Sequence, residues 1–219
     1  MTYTATLNEG ATIGGAGNPN TVKLEYSNNP NQGGEGDTGK TPENKVTVFT
    51  FQLNIDKKDE KNQPLKGAGF TLYKYDADAE GEEADKWSLV GTEIKGEDLT
   101  SFTWEGLDAG RYKLVESTTP NGYNTMEDIE FTITADLSNE PASVTALNVA
   151  VTENPNLAEQ PVMSTDRDSG TISSTVVNES GAQLPSTGGI GTTIFYVVGG
   201  VLVVGGGVLL VAKRRVGRR

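Results

Sequence analysis

From Val46 to Val177 apolar and polar residues alternate with a period of two, and no useful length of this region carries the 3.6-residue period of a helix. This pattern constrains the fold more than any other feature of the chain. VTVFTFQLNI (46–55) reads as one long strand, rich in β-formers. FTLYKY (70–75), KWSLVG (86–91), RYKLVE (111–116), DIEFTIT (128–134), VTALNVAV (144–151) and TISSTVV (171–177) follow, separated by polar turn residues. Residues 152–170 read as a long loop before the final strand. Several short strands in about 135 residues predict an all-β protein, a single antiparallel Ig-like sandwich.

Three of these strands end their inward rows on polar groups. In FQLNIDKKDE (51–60), Phe51, Leu53, Ile55 and Lys57 share one face. Tyr112, Leu114 and Glu116 do the same in RYKLVE, and Val176 and Asn178 in the last strand. A lysine is almost never fully buried unless paired, and an unpaired buried charge costs several kcal/mol. Three readings stay open on alternation alone. Lys57 and Glu116 form an ion pair near the rim, with Asn178 in a turn; or each row frays into solvent before its polar residue; or the lysine amine attacks the Asn178 carboxamide, expels ammonia and leaves an amide bond. Alternation by itself favours the ion pair.

Composition removes other chemistries. The 219 residues include no Cys and no His, so disulfides, thiol catalysis, zinc sites and Ser-His-Asp triads are excluded. No cofactor or metal is expected. The acidic run DADAEGEEAD (76–85) lacks EF-hand spacing and reads as a solvated loop. A net charge of −12 argues against nucleic-acid partners.

The charge is unevenly spread. Residues 190–212 carry no charged side chain, and as a helix they would reach roughly 34 Å, enough to cross a bilayer. KRRVGRR (213–219) follows as a cytoplasmic basic tail, and without it the rest holds 13 basic and 30 acidic residues. A cationic end after a membrane span predicts an acidic body outside the cell. Immediately before the span stands LPSTGG (184–189). In this order, the three features resemble the sorting signal of wall-anchored Gram-positive surface proteins. The resemblance implies cleavage by a sortase within Leu184, Pro185, Ser186, Thr187 and Gly188, between Thr187 and Gly188. The Thr187 carbonyl would then join an amine of the peptidoglycan cross-bridge or of a neighbouring pilin subunit. Such a protein is a membrane-spanning precursor that ends covalently attached to the cell wall.

MTYTATLNEG opens without the cationic start and apolar run of a secretory signal, so Met1 is expected to lie inside a longer gene. TVKLEYSNNP (21–30) puts Val22, Leu24, Tyr26 and Asn28 on one face. It reads as a last strand whose partner strands are missing. The organisation expected is a C-terminal remnant of a preceding β domain (1–30), a Gly- and Asn-rich linker (31–45), the sandwich (46–179), the sorting segment (180–189), the transmembrane helix (190–212) and the tail (213–219).

A second resemblance rests on two motifs. Lys57-Lys58-Asp59 is followed by Leu65-Lys66-Gly67-Ala68-Gly69-Phe70, and downstream stand Tyr112, Leu114, Glu116, Pro120, Gly122 and Tyr123. Together they resemble the Cna B-type (SpaA-type, prealbumin-like) domains of Gram-positive pilins and adhesins, the second motif being like their E-box. The resemblance implies a self-forming Lys–Asn isopeptide bond: Lys57 the nucleophile, Glu116 the proton shuttle hydrogen-bonded to the Asn178 carbonyl oxygen, Asn178 the electrophile. Lys58 faces the other way. Asn28 would be the electrophile of a similar bond in the preceding domain. One turnover ends such a reaction, so the protein is structural and not an enzyme.

The function expected is a fimbrial or pilin-like subunit braced by this bond, the alternative being the stalk of an adhesin whose region for host surface ligands lies upstream. Trp87 and Trp104 are candidate contacts in that alternative, though such tryptophans are commonly core. Backbone pilins generally carry an acceptor lysine in a Tyr-Pro-Lys type motif, and no Pro-Lys dipeptide occurs here.

Overall fold

A computed structural model describes residues 5–28, 31, 37–157 and 160–181. Its strands lie in one compact unit, Met1–Ser180. The first four are β1 (Asn18–Val22), β2 (Glu25–Ser27), β3 (Thr38–Lys40) and β4 (Asn44–Val48). The sandwich follows with β5 (Phe51–Asp59), β6 (Gly69–Tyr75), β7 (Trp87–Leu89), β8 (Ile94–Lys95), β9 (Ser101–Leu107) and β10 (Gly110–Thr118). It is completed by β11 (Ile129–Asn139), β12 (Ala142–Val151), β13 (Met163–Asp166) and β14 (Thr171–Asn178). The only helical element among the described residues is a 3₁₀ turn, Glu83–Lys86.

Two sheets face each other. One has the order β12-β11-β10-β6-β7, with β8 also paired to β6; the other has the order β13-β14-β5-β9. Period-two alternation directs Leu53, Ile55 and Ile172 from one sheet against Leu72, Tyr112, Leu114 and Phe131 from the other, all fully buried. Tyr112 and Phe131 stack with ring centroids 5.7 Å apart, while Phe70 meets Phe102 edge-on at 4.8 Å. Trp104 is in the core, whereas Trp87 is half-buried on the outer face, with Lys113 4.6 Å from its ring. The sheet pairings are antiparallel with one exception: β14 runs parallel to β5, Ile172 beside Leu53 and Val176 beside Lys57. The first and last strands of the sandwich are therefore neighbours pointing the same way.

Several sequence expectations change. VTVFTFQLNI is two strands, because the chain breaks at Phe49–Thr50: β4 pairs with β1, and β5 enters the sandwich. TVKLEYSNNP also divides, and both pieces find partners within this chain, β1 on β4 and β2 on β3. Residues 37–45, expected as linker, thus contain β3 and the start of β4. β9 escaped the alternation pattern because it is bulged: Leu53 and Phe51 face Trp104 and Leu107, two steps along β5 matching three along β9. Gly106, at φ +76°, supplies the left-handed conformation that the bulge needs. The expected loop 152–170 carries the short strand β13.

The segment before β1 docks through two glycines. Gly14 and Gly170 both have positive φ, and a Cβ on Gly170 would stand 2.5 Å from the Gly14 Cα. Gly14 donates its N–H to Thr50 O at 2.9 Å, and Gly170 accepts from Gln52 at 2.9 Å, so this close approach fixes the start of β14 against β5.

Candidate functional site

Lys57 continues the inward row of β5 and is 0 % exposed. β5 lies between β14 and β9, so the strand cannot turn its end out to water. Glu116 comes from β10 in the opposite sheet, between β6 and β11, and is 5 % exposed. Asn178 is the last residue of β14, on the strand beside Lys57, and is 1 % exposed. The three polar row-ends therefore meet between the sheets, and none frays into solvent. Lys58 is half-buried on the other face, as alternation requires.

The contacts are direct. Lys57 Nζ donates to Asn178 Oδ1, with Phe70 lying beneath the amine at 5.9 Å from ring centroid to nitrogen. Asn178 Nδ2 donates to Glu116 Oε1 at 2.8 Å and to Oε2 at 3.0 Å. Lys57 Nζ stands 3.5 Å from Glu116 Oε1. Glu116 Oε2 also accepts the Met126 N–H at 2.9 Å. The carboxyl thus meets the amide nitrogen of Asn178, where the sequence reading put it on the carbonyl oxygen. The amide turns its NH₂ toward Glu116 and its oxygen toward the amine.

Burial destabilises the ammonium and pushes the Lys57 pKa down from 10.5 to about 8, with Glu116 opposing the shift. Roughly a tenth of this side chain is then neutral at pH 7. The arrangement is that of a buried ion pair sharing an amide. It is equally that of a nucleophile, an electrophile and a proton carrier in contact.

The motif that ends Pro120-Asn121-Gly122-Tyr123 does more than mark the site. Its loop, turned at Gly122 with φ +86°, closes over the end of β14: Tyr123 bridges to Ser180, and Asn124 donates its N–H to Glu179 O at 3.0 Å. Sequence reading missed the contacts of Met126, Asn124 and Ser180. Only the turn signal of Pro120–Gly122 was available to it, since the contacts join distant parts of the chain. Asn28 lies exposed just beyond β2, its N–H bonded to Asp37 O at 2.9 Å. Val22, Leu24 and Tyr26 are exposed as well. Leu184 to Gly188 and the span expected at 190–212 lie outside the described residues, among which no helix is long and apolar enough to cross a membrane.

Comparison with known proteins places both motifs. Residues 51–148 match the family described as SpaA, prealbumin-like fold domain, and residues 176–216 match the LPXTG cell wall anchor motif. The trypsin-resistant surface T6 protein of Streptococcus pyogenes serotype M6 is 26% identical over 98% of this chain and 48% of its own length. The pilus 2b backbone protein of group B streptococcus is 25% identical, covering 68% of this chain and 50% of its own, with a TM-score of 0.40. The T6 backbone pilin of Streptococcus pyogenes is 19% identical over 80% of this chain and 46% of its own, with a TM-score of 0.45. The chain spans about half the length of these relatives. It is a cell-wall-attached surface protein whose residues 51–148 are similar to a SpaA prealbumin-like fold domain and whose residues 176–216 match an LPXTG cell wall anchor motif.

Proposed function

We propose that this chain is the wall-proximal part of a pilin-type structural subunit, its sandwich braced by an amide bond that Lys57 and Asn178 form without help from another protein. The observation that carries this reading is the buried contact of amine, carboxamide and carboxyl. The neutral Lys57 Nζ attacks Asn178 Cγ; Glu116 takes a proton from the amine and passes it to the amide nitrogen, which leaves as ammonia. A lysine–asparagine amide remains and Glu116 returns to its starting state. Glu116 lies against both nitrogens that exchange the proton, within 3.5 Å of one and 2.8 Å of the other. Contact in the folded state supplies the proximity that an intermolecular reaction lacks.

The bond would close a loop between residues 121 positions apart, in a chain with no cysteine to brace it otherwise. It would also carry tension from β5 to β14, whose end leads to the sorting segment. A sortase would cut between Thr187 and Gly188 and transfer Thr187 to the cross-bridge amine or to the next subunit. Under this reading the chain catalyses nothing beyond its own single cross-link.

The test is the intact mass of the chain beside its Glu116→Ala and Lys57→Ala variants. The parent should be one ammonia lighter than its formula, both variants should not, and fragmentation should join Lys57 to Asn178. A parent at full formula mass refutes the cross-link.

A further inference from the structure

The amide-forming step needs Asn178 held within reach of Lys57, and the pattern of β14 does not by itself hold it there. Strand faces repeat every two residues, so a two-residue slip of β14 along β5 keeps Ile172, Ser174, Val176 and Asn178 facing inward. It would nonetheless carry Asn178 about 6.6 Å from its place. The start of β14 is fixed at Gly170. Its far end is fixed by side chains beyond both strands. Ser180 Oγ donates to Glu60 Oε1 at 2.8 Å, and Ser180 N–H donates to Glu60 Oε2 at 3.3 Å.

Glu60 is preset for this role. It sits in a tight turn in which Asp59 Oδ1 accepts the N–H groups of Lys61 at 2.9 Å and Gln63 at 2.8 Å, with Asn62 at φ 62°. Asp59 N–H donates to Gln63 O and Leu65 N–H to Lys57 O, both at 2.9 Å, so the turn is tied back onto the strand that carries Lys57. On the other side of the strand end, the loop whose Met126 N–H fixes Glu116 also holds Glu179 through Asn124.

We propose that Glu60 and Ser180 are positioning residues that act through Asn178: their two hydrogen bonds lock the register of β14 against β5 and so set the rate of amide formation. The inference rests on the cross-link proposed above. Neither side chain touches the reacting atoms, and both residues are exposed, so their removal leaves the core intact.

The test follows cross-linking as it happens. The full 219-residue chain is synthesised in vitro in detergent, quenched in denaturant at intervals, and weighed for the fraction that has lost ammonia. Near-ultraviolet circular dichroism of the tryptophans reports folding in parallel. Glu60→Ala and Ser180→Ala should each slow ammonia loss, by up to roughly tenfold, with folding unchanged. Ser180→Thr keeps both bonds and should run near the parental rate, whereas Glu60→Gln keeps one accepting oxygen of two and should fall between Glu60→Ala and the parent. Parental rates in the alanine variants overturn the positioning role and leave the cross-link standing. Equal slowing in all four variants also overturns it, since the hydrogen bonds would not then be the cause. A parent that never loses ammonia removes the cross-link, and the positioning role with it.

Discussion

Replacing both charges of the buried site, Lys57→Met together with Glu116→Gln, separates an ion pair from a covalent brace. The substitutions nearly conserve volume, and a glutamine at 116 still accepts the Met126 N–H. If Lys57 and Glu116 were only a buried ion pair, exchanging them for uncharged groups would be neutral or would stabilise by about 1–4 kcal/mol, because two desolvation penalties disappear. If the amide forms, the double variant loses a cross-link between residues 121 positions apart. The chain-entropy relation puts that loss at about 5 kcal/mol for a closed loop of this length. With a urea slope of about 2 kcal/mol per molar, the midpoint should fall by about 2.5 M. The assay is equilibrium urea unfolding of residues 1–183 followed by tryptophan fluorescence, parent against double variant. An unchanged or raised midpoint would refute the brace.

Three further outcomes follow from the same structure. The rate of ammonia loss should rise about tenfold per pH unit below about 8 and level off above it, tracking the neutral fraction of Lys57; a rate independent of pH between 6 and 8 would contradict attack by this amine. In an Asn178→Ala chain, which keeps the pair and cannot react, the folded lysine has lost a proton above about pH 8 that the unfolded lysine holds until about 10.5. Stability should therefore increase from pH 8 to about 9.5, read as a rising urea midpoint, and a falling midpoint would contradict the burial argument. Gly170→Ala puts a Cβ 2.5 Å from the Gly14 Cα at φ +68°, and should cost at least about 2 kcal/mol while exposing the segment before β1 to limited proteolysis.

The legible part of the sandwich was the part whose strands alternate without interruption. β10, β11 and β14 could be read because their inward rows, Tyr112-Leu114-Glu116, Ile129-Phe131-Ile133 and Ile172-Ser174-Val176-Asn178, keep the period of two. β9 could not, since the bulge around Gly106 moves Leu107 out of the period set by Phe102 and Trp104. The break at Phe49–Thr50 was hidden for the opposite reason. VTVF and TFQLNI share one uninterrupted pattern, and only the pairing of β4 with β1 separates them. The exposed Val22, Leu24 and Tyr26 mimic a core-facing row, yet Val22 ends one short strand, Tyr26 sits in the next and Leu24 lies between them, all open to solvent.

The sequence by itself determined what each inward row ends with: an amine, a carboxyl and a carboxamide, in a chain with no thiol and no imidazole. Face is a local property of a strand, set by a period of two, and so it can be read from neighbours in the chain. Which rows meet is not local. The tertiary structure decided that β14 lies parallel to β5, that Glu116 reaches across from the other sheet, and that the carboxyl meets the amide nitrogen. It also decided that Glu60 and Ser180 close the strand ends. These contacts join residues 62 to 121 positions apart, and their geometry comes from two sheets packing face to face, which no stretch of sequence encodes alone.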